Sequence, residues 1–152
     1  MAANSKRERI ILNVVSTLED ISTLTTIQRT RPAFNDMGNL DLVAANLPLA
    51  AVIGKAPVPE GNISSQDNAE YIYFTSELPI EISVYAAATS SPDSVVSTLM
   101  DDIWVELHKD LTRGSYALMT SVEMEVDEGL NHPYVIFRMN ITVTYTHGID
   151  SI

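Results

Sequence analysis

The chain has 152 residues, 45% of them hydrophobic and 19% charged, with seven prolines, six glycines, no cysteine and a net charge of −11. That length suits one domain spanning 1–152, and the apolar fraction excludes a disordered chain. The absence of cysteine excludes disulfide scaffolds, thiol nucleophiles and cysteine-held zinc. No apolar run approaches the roughly 18 to 20 residues of a membrane helix, and MAANSKRERI has no secretory apolar core, so a soluble chain made in the cytoplasm is expected.

Charge is unevenly spread. Residues 1–32 carry five Lys or Arg against three acids, a balance of +2, whereas residues 33–152 carry four against 17, a balance of −13. So acidic a body repels phosphate backbones and argues against sequence reading or sheathing of DNA. It is compatible with DNA passing nearby without adhesion, and also with plain solubility.

The first element is a helix over residues 6–20. Ser5 and Glu8 form an S-x-x-E capping box, and Ile10, Ile11, Val14, Val15 and Leu18 follow at helical spacing. Its Lys6, Arg7 and Arg9 read more simply as a solvated face than as a nucleic-acid arm. Residues 23–30, TLTTIQRT, are β-branched and predict a strand. Residues 31–70 hold four prolines, three glycines and a polar run and predict a loop-rich segment ordered by partners; only Leu47–Ile53 looks strand-like, demoted by Pro48 to an edge or a strand start.

Periodicity returns at Tyr71. Residues 71–76 and 79–88 predict one long bent strand or two strands broken near Pro79, with Ile80, Ile82, Val84 and Ala86 on a single buried face. Ser91-Pro92-Asp93 supplies an N-cap, a proline at the first helical position and a first-turn acid. Val95, Val96, Leu99, Met100, Ile103, Trp104 and Leu107 then trace an apolar helix face, Trp104 included in the core, that ends near Asp110. Val122, Met124 and Val126 alternate with Glu123, Glu125 and Asp127, giving one apolar and one acidic strand face. Val135, Phe137, Met139, Ile141, Val143 and Tyr145 alternate most strictly of all and predict a long central antiparallel strand. The order predicts an α+β fold: an antiparallel (mixed) β-sheet with two α-helices packed on one face and long loops.

No catalytic constellation emerges. His108, His132 and His147 are scattered, with His147 near Asp150 the only candidate ligand pair. Phosphate loops and nucleophile elbows are absent from the sequence. Asp101, Asp102, Glu106 and Asp110 share one helix; carboxylates so placed hold Mg²⁺ in nucleases, but a solvated or interface-lining acidic face explains them more simply. Tyr71, Tyr73 and Phe74 read as core packing at a strand edge or as an aromatic platform. No metal, cofactor or catalytic residue is expected.

The capped first helix, the helix DDIWVELHKDLTRG and the last strand VIFRMNITVTYTHGID together resemble tail terminator (tail-completion) proteins of long-tailed bacteriophages. In that family the second helix carries acid-Ile-Trp-x-x-Leu and then an aspartate, places held here by Asp102, Ile103, Trp104, Leu107 and Asp110. Tyr145, His147 and Asp150 match the aromatic and polar end of its final strand. The element order agrees over residues 1–150, while 31–70 matches no family pattern.

The resemblance implies a structural virion protein: a homo-hexameric ring that caps the tail tube, ends its polymerisation and joins tail to head connector, with DNA passing through the lumen. Its partners would be other copies of itself, the tube protein and the head-completion protein, with no membrane involved. On that reading Arg7, Arg9, Arg29, Arg31, Tyr71 and Tyr73 are candidate contacts. Asp102, Glu106, Asp110, Glu123, Glu125 and Asp127 are a candidate acidic lumen or interface. The alternatives are a neck protein between portal and tail, a small non-viral binding module, and a metal-dependent nuclease.

Overall fold

A computed structural model describes residues 5–33, 42–65, 72–88, 90–114, 117–127, 134–148 and 152. Helix α1 (Lys6–Glu19) starts as its sequence dictates: the Ser5 hydroxyl accepts the Glu8 N–H at 3.2 Å, and Ile10, Ile11, Val14 and Leu18 are buried. Strand β1 (Thr26–Gln28) follows, much shorter than the β-branched run suggested.

The segment expected to be loop-rich holds two strands. A short 3₁₀ turn (Ala44–Asn46) leads into β2 (Leu49–Gly54), and β3 (Val58–Ser65) comes next; residues 34–41 and 66–70 lie outside the described residues. Pro48 stands just before β2, where no ladder hydrogen bond is lost, and its carbonyl accepts from Thr25 and Thr26. So β2 is not an edge; it lies between β1 and β4. β3 escaped the pattern because it is an irregular strand paired only with β4, with a register shift between Pro59 and Ile63. A strand so placed tolerates proline and glycine.

Strand β4 (Ile72–Ala87) is one unbroken element despite Pro79. One side of it pairs with β6 (Tyr134–Gly148) from Tyr73↔Gly148 to Ala87↔Tyr134. The other side is shared: β3 pairs with its first half and β2 with its second. Pro79 sits at that changeover, its carbonyl accepting from Lys55 N–H just past the end of β2. The N–H that proline lacks would point to the same side, into the gap between the two partner strands, so no ladder bond is missed.

Helix α2 (Pro92–His108) packs beside α1 on one sheet face, and β5 (Leu118–Val126) closes the sheet. The strand order is β1-β2-β4-β6-β5, with β1 parallel to β2 and every other pair antiparallel. The result is an α+β fold with a mixed sheet and two helices on one face. Ser91 does not cap α2 through its hydroxyl; it takes a left-handed conformation (φ 52°), and its carbonyl accepts the Ser94 and Val95 N–H groups.

The core lies between the helices and the face carrying Ala50, Val52, Leu78, Ile80, Ile82, Val84, Phe137, Met139, Ile141 and Val143. Gly54 lets α1 close down on β2: a Cβ there would collide with Ile11 Cδ1 and lie 2.8 Å from Arg7 Nη2. The opposite face was expected to be wet along β4. Instead Leu49, Ala51, Tyr85 and Ile136 form a second small cluster under Leu42 and Leu47, and Glu81 and Ser83 are buried with it. Trp104 is not core. It is 39% exposed, its ring 4.0 Å from that of His108, while Val96 takes a buried place on the helix. Among the described residues no helix is long and apolar enough to cross a membrane.

Candidate functional site: a basic patch and an acidic sheet edge

The cations of the N-terminal region converge in space. The Arg7 guanidinium donates to the Gly54 and Lys55 carbonyls at 2.9 to 3.2 Å, and Lys6 Nζ donates to Thr146 O at 2.6 Å. Arg29, just past β1, makes a two-pronged pair with Glu8, at 2.7 and 3.3 Å. Arg31 and Lys55 reach Glu81 from the other face of the sheet, at 2.7 and 3.8 Å. Arg9 shares the first turns of α1 and is itself engaged in an interaction. Two carboxylates on opposite faces of the sheet thus hold cations of this region, Glu8 pairing with Arg29 and Glu81 with Arg31 and Lys55.

The two carboxylates respond to that company. The hydrogen bond from Arg29 holds Glu8 below the usual carboxylate range, outweighing partial burial. Burial pushes the Glu81 carboxyl up, but hydrogen bonds from Ser83 and Arg31 and the charges of Arg31 and Lys55 outweigh it and leave it below its ordinary value. The arginines named as candidate contacts also have partners within their own chain. Arg29 and Arg31 keep 39% and 50% of their side chains exposed.

The candidate acids fall into three settings rather than one. Asp102 and Glu106 lie one turn apart on α2 and, with Asp20 and Asp101, line an open cleft of about 360 Å³ beside the C-terminal end of α1. Asp102 accepts the Thr23 hydroxyl at 2.8 Å, and Glu106 pairs with Lys109. Asp110 does not continue that stripe. Its carboxylate ties the turn after α2, accepting Thr112 N–H and hydroxyl and Gly114 N–H at 2.7 to 3.1 Å. Burial raises its pKa, but those bonds and Arg113 lower it further.

Glu123 and Glu125 are exposed on β5, on the sheet face away from the helices; Arg138 stands in register with Glu125, 3.9 Å away. Asp127 follows directly, its N–H bonded to Ile136 O. The apolar face of β5 is largely uncovered: Met124 and Val126 are each 47% exposed on the helix side, and only Val122 of that row is partly packed. Tyr71 lies outside the described residues; Tyr73 is placed in β4 by its backbone, opposite Ser64 and Gly148.

Two polar arrangements had no signal in the sequence. Arg113 is fully buried at φ 46° and crosses the end of α2: its Nη2 donates to the Leu107 carbonyl at 2.6 Å and to the Asp110 carbonyl, its Nη1 to Thr17 on α1. A cation there meets the negative end of the helix dipole. The buried Ser76 hydroxyl lies 2.8 Å from His147 Nε2, while His147 Nδ1 is 3.0 Å from the Gly148 carbonyl. Since that carbonyl only accepts, the neutral ring carries its proton on Nδ1, and Ser76 donates to Nε2. That is the hydrogen bonding of a serine–histidine pair. Both residues are buried, with Phe74 stacked on the imidazole, so this pair fastens β4 to β6. Asp150, the other half of the candidate ligand pair weighed and set aside from the sequence, lies outside the described residues. Among those residues no three His, Asp or Glu side chains converge to hold a metal ion.

No family model matches the chain, and no curated protein matches it in sequence.

Proposed function

We propose that this chain is a structural protein of a long-tailed phage virion. It acts as a tail terminator: a homo-hexameric ring that caps the tail tube, ends its growth and presents a surface to the head connector. Made in the host cytoplasm, it resides at the neck end of the tail, and DNA passes its acidic lumen without specific binding. Its role is assembly rather than catalysis.

The observation that carries this reading is the exposed edge strand β5. A sheet edge with Met124 and Val126 exposed along one face and acids along the other is a surface suited to a partner. The tail-terminator motif on α2 adds support, because its residues have separable jobs. Ile103 and Leu107 are core, Asp110 orders the following turn, and Trp104 is left on the surface, where aromatic side chains serve interfaces.

Light scattering of growing tail tubes tests the reading. Substoichiometric addition of the purified chain should arrest elongation, one ring per tube end. Tubes that lengthen unchanged in its presence would contradict it.

A further inference from the structure

β5 is an outer strand, bonded along one side to β6 and along the other, among the described residues, to no strand. From Ser121 to Val126 it runs beside β6 without a register shift, so its free side presents unpaired N–H and C=O groups at regular strand spacing. Its two faces differ in chemistry. Away from the helices, Glu123 stands opposite Asn140, and Glu125, with 64% of its side chain exposed, has Arg138 at 3.9 Å. On the helix side lie Val122, Met124 and Val126, the last two half exposed.

We infer that this edge takes an extended segment of another protein in which Lys or Arg alternates with apolar residues, added to the sheet as one more outer strand. Side chains of such a segment alternate between faces. Cations two residues apart then fall beside Glu123 and Glu125, while the residues between them cover Met124 and Val126. Backbone hydrogen bonds hold the segment, and the apolar row leaves water. The charges select partner and register, and the net charge of −11 draws a basic segment in from a distance.

The chain itself has no such segment to offer. A second β5 would set acids opposite acids, which is destabilising across strands. Arg138 is the only Lys or Arg in the described strands, and β6 is already paired on both sides. Outside α1, the only cations two residues apart are Arg29 and Arg31, which Glu8 and Glu81 hold on opposite faces of the sheet. The complementary strand therefore comes from a different chain. This inference rests on the use of β5 as a partner surface proposed above and states that partner's chemistry.

The probe is a capped, fluorescently labelled peptide with the core Val-Lys-Val-Lys-Val, a pattern that reads alike in either strand direction. With the full chain its anisotropy should rise saturably, its affinity should fall as salt rises, and amides within Ser121–Val126 should gain protection from hydrogen exchange. Replacing both peptide lysines by Glu, or N-methylating the core residues, should abolish binding. Glu123→Lys with Glu125→Lys should weaken binding at least about tenfold with thermal melts unchanged, and should accept the Glu-bearing peptide instead.

Equal binding of the Lys and Glu peptides would overturn the inference, as would an N-methylated peptide that binds like its parent, or no binding at all. Ser121→Cys chains that cross-link to one another through a short bismaleimide would assign the edge to a second copy and overturn it too. Capped tubes without peptide binding would leave the tail reading standing and remove this partner chemistry. Peptide binding by a chain that caps nothing would do the reverse.

Discussion

Arg31 and Glu81, fifty residues apart in sequence, meet at 2.7 Å on the sheet face away from the helices, with Ser83 and Lys55 beside them. The pair joins the end of β1 to the middle of β4, so the basic patch is fixed to the sheet rather than carried on a mobile arm.

That geometry makes a pH prediction. Glu81 is held below its ordinary value of 4.5, so folding favours the ionised form. The stability it contributes is present above pH 4.5 and is lost as pH falls through the lowered folded value. Thermal melts should show the parent losing stability on acidification more steeply than Glu81→Gln; parallel curves would contradict this. Arg31→Ala should cost only about 1 kcal/mol, because half of that side chain is in water.

Arg113 should matter more. Replacing it with Ala leaves the Leu107 and Asp110 carbonyls without their donor and a void between α1 and α2, at a cost of about 2 to 4 kcal/mol. Lys should not rescue it, since one ammonium cannot reproduce a fork that reaches both carbonyls and Thr17. Urea unfolding of the two variants checks both statements, and a Lys variant as stable as the parent would refute the second.

The α2 residues should separate by role. Leu99→Ala or Ile103→Ala opens the core against Phe137, Met139 and Ile141 and should cost about 2 to 5 kcal/mol, taking assembly down with it. Trp104→Ala should cost less than about 1 kcal/mol, because the ring lies on the surface beside His108. Comparing melting temperatures across the three decides it; a Trp104 variant as damaged as Ile103→Ala would place that ring in the core after all.

Elements governed by local rules were legible in the sequence. The Ser5–Glu8 cap, the Ile10-to-Leu18 spacing and the alternation from Val135 to Tyr145 each name their structure, because cap, helix period and strand period are encoded within a few residues. What depends on neighbours was not. Pro79 reads as a break until β2 and β3 are seen to share one side of β4. β3 is hidden by Pro59 and Gly61, which an irregular strand tolerates. Met124 has the right parity for the core, yet it lies on the outermost strand and stays half exposed. Ser76–His147 and Arg113–Thr17 join residues 71 and 96 positions apart, beyond any local pattern. The candidate cations were legible as a group, but not their partners Glu8 and Glu81.

Ring formation should respond to salt. Each copy brings a net charge of −11, so like-charge repulsion opposes association. Raising salt from about 20 to about 300 mM shortens the Debye length severalfold and screens that repulsion, whereas each exposed ion pair it weakens is worth only about 0 to 1 kcal/mol. Sedimentation should show the ring favoured at moderate salt. Steady dissociation as salt rises would mean that intersubunit ion pairs outweigh the net repulsion.

Electron microscopy of tail tubes assembled with this chain reads the proposed capping role without an intermediate. A six-fold ring with an open lumen, one per tube, should sit at a single end. Tubes with bare ends beside free monomers, or particles decorating tubes along their length, would contradict it.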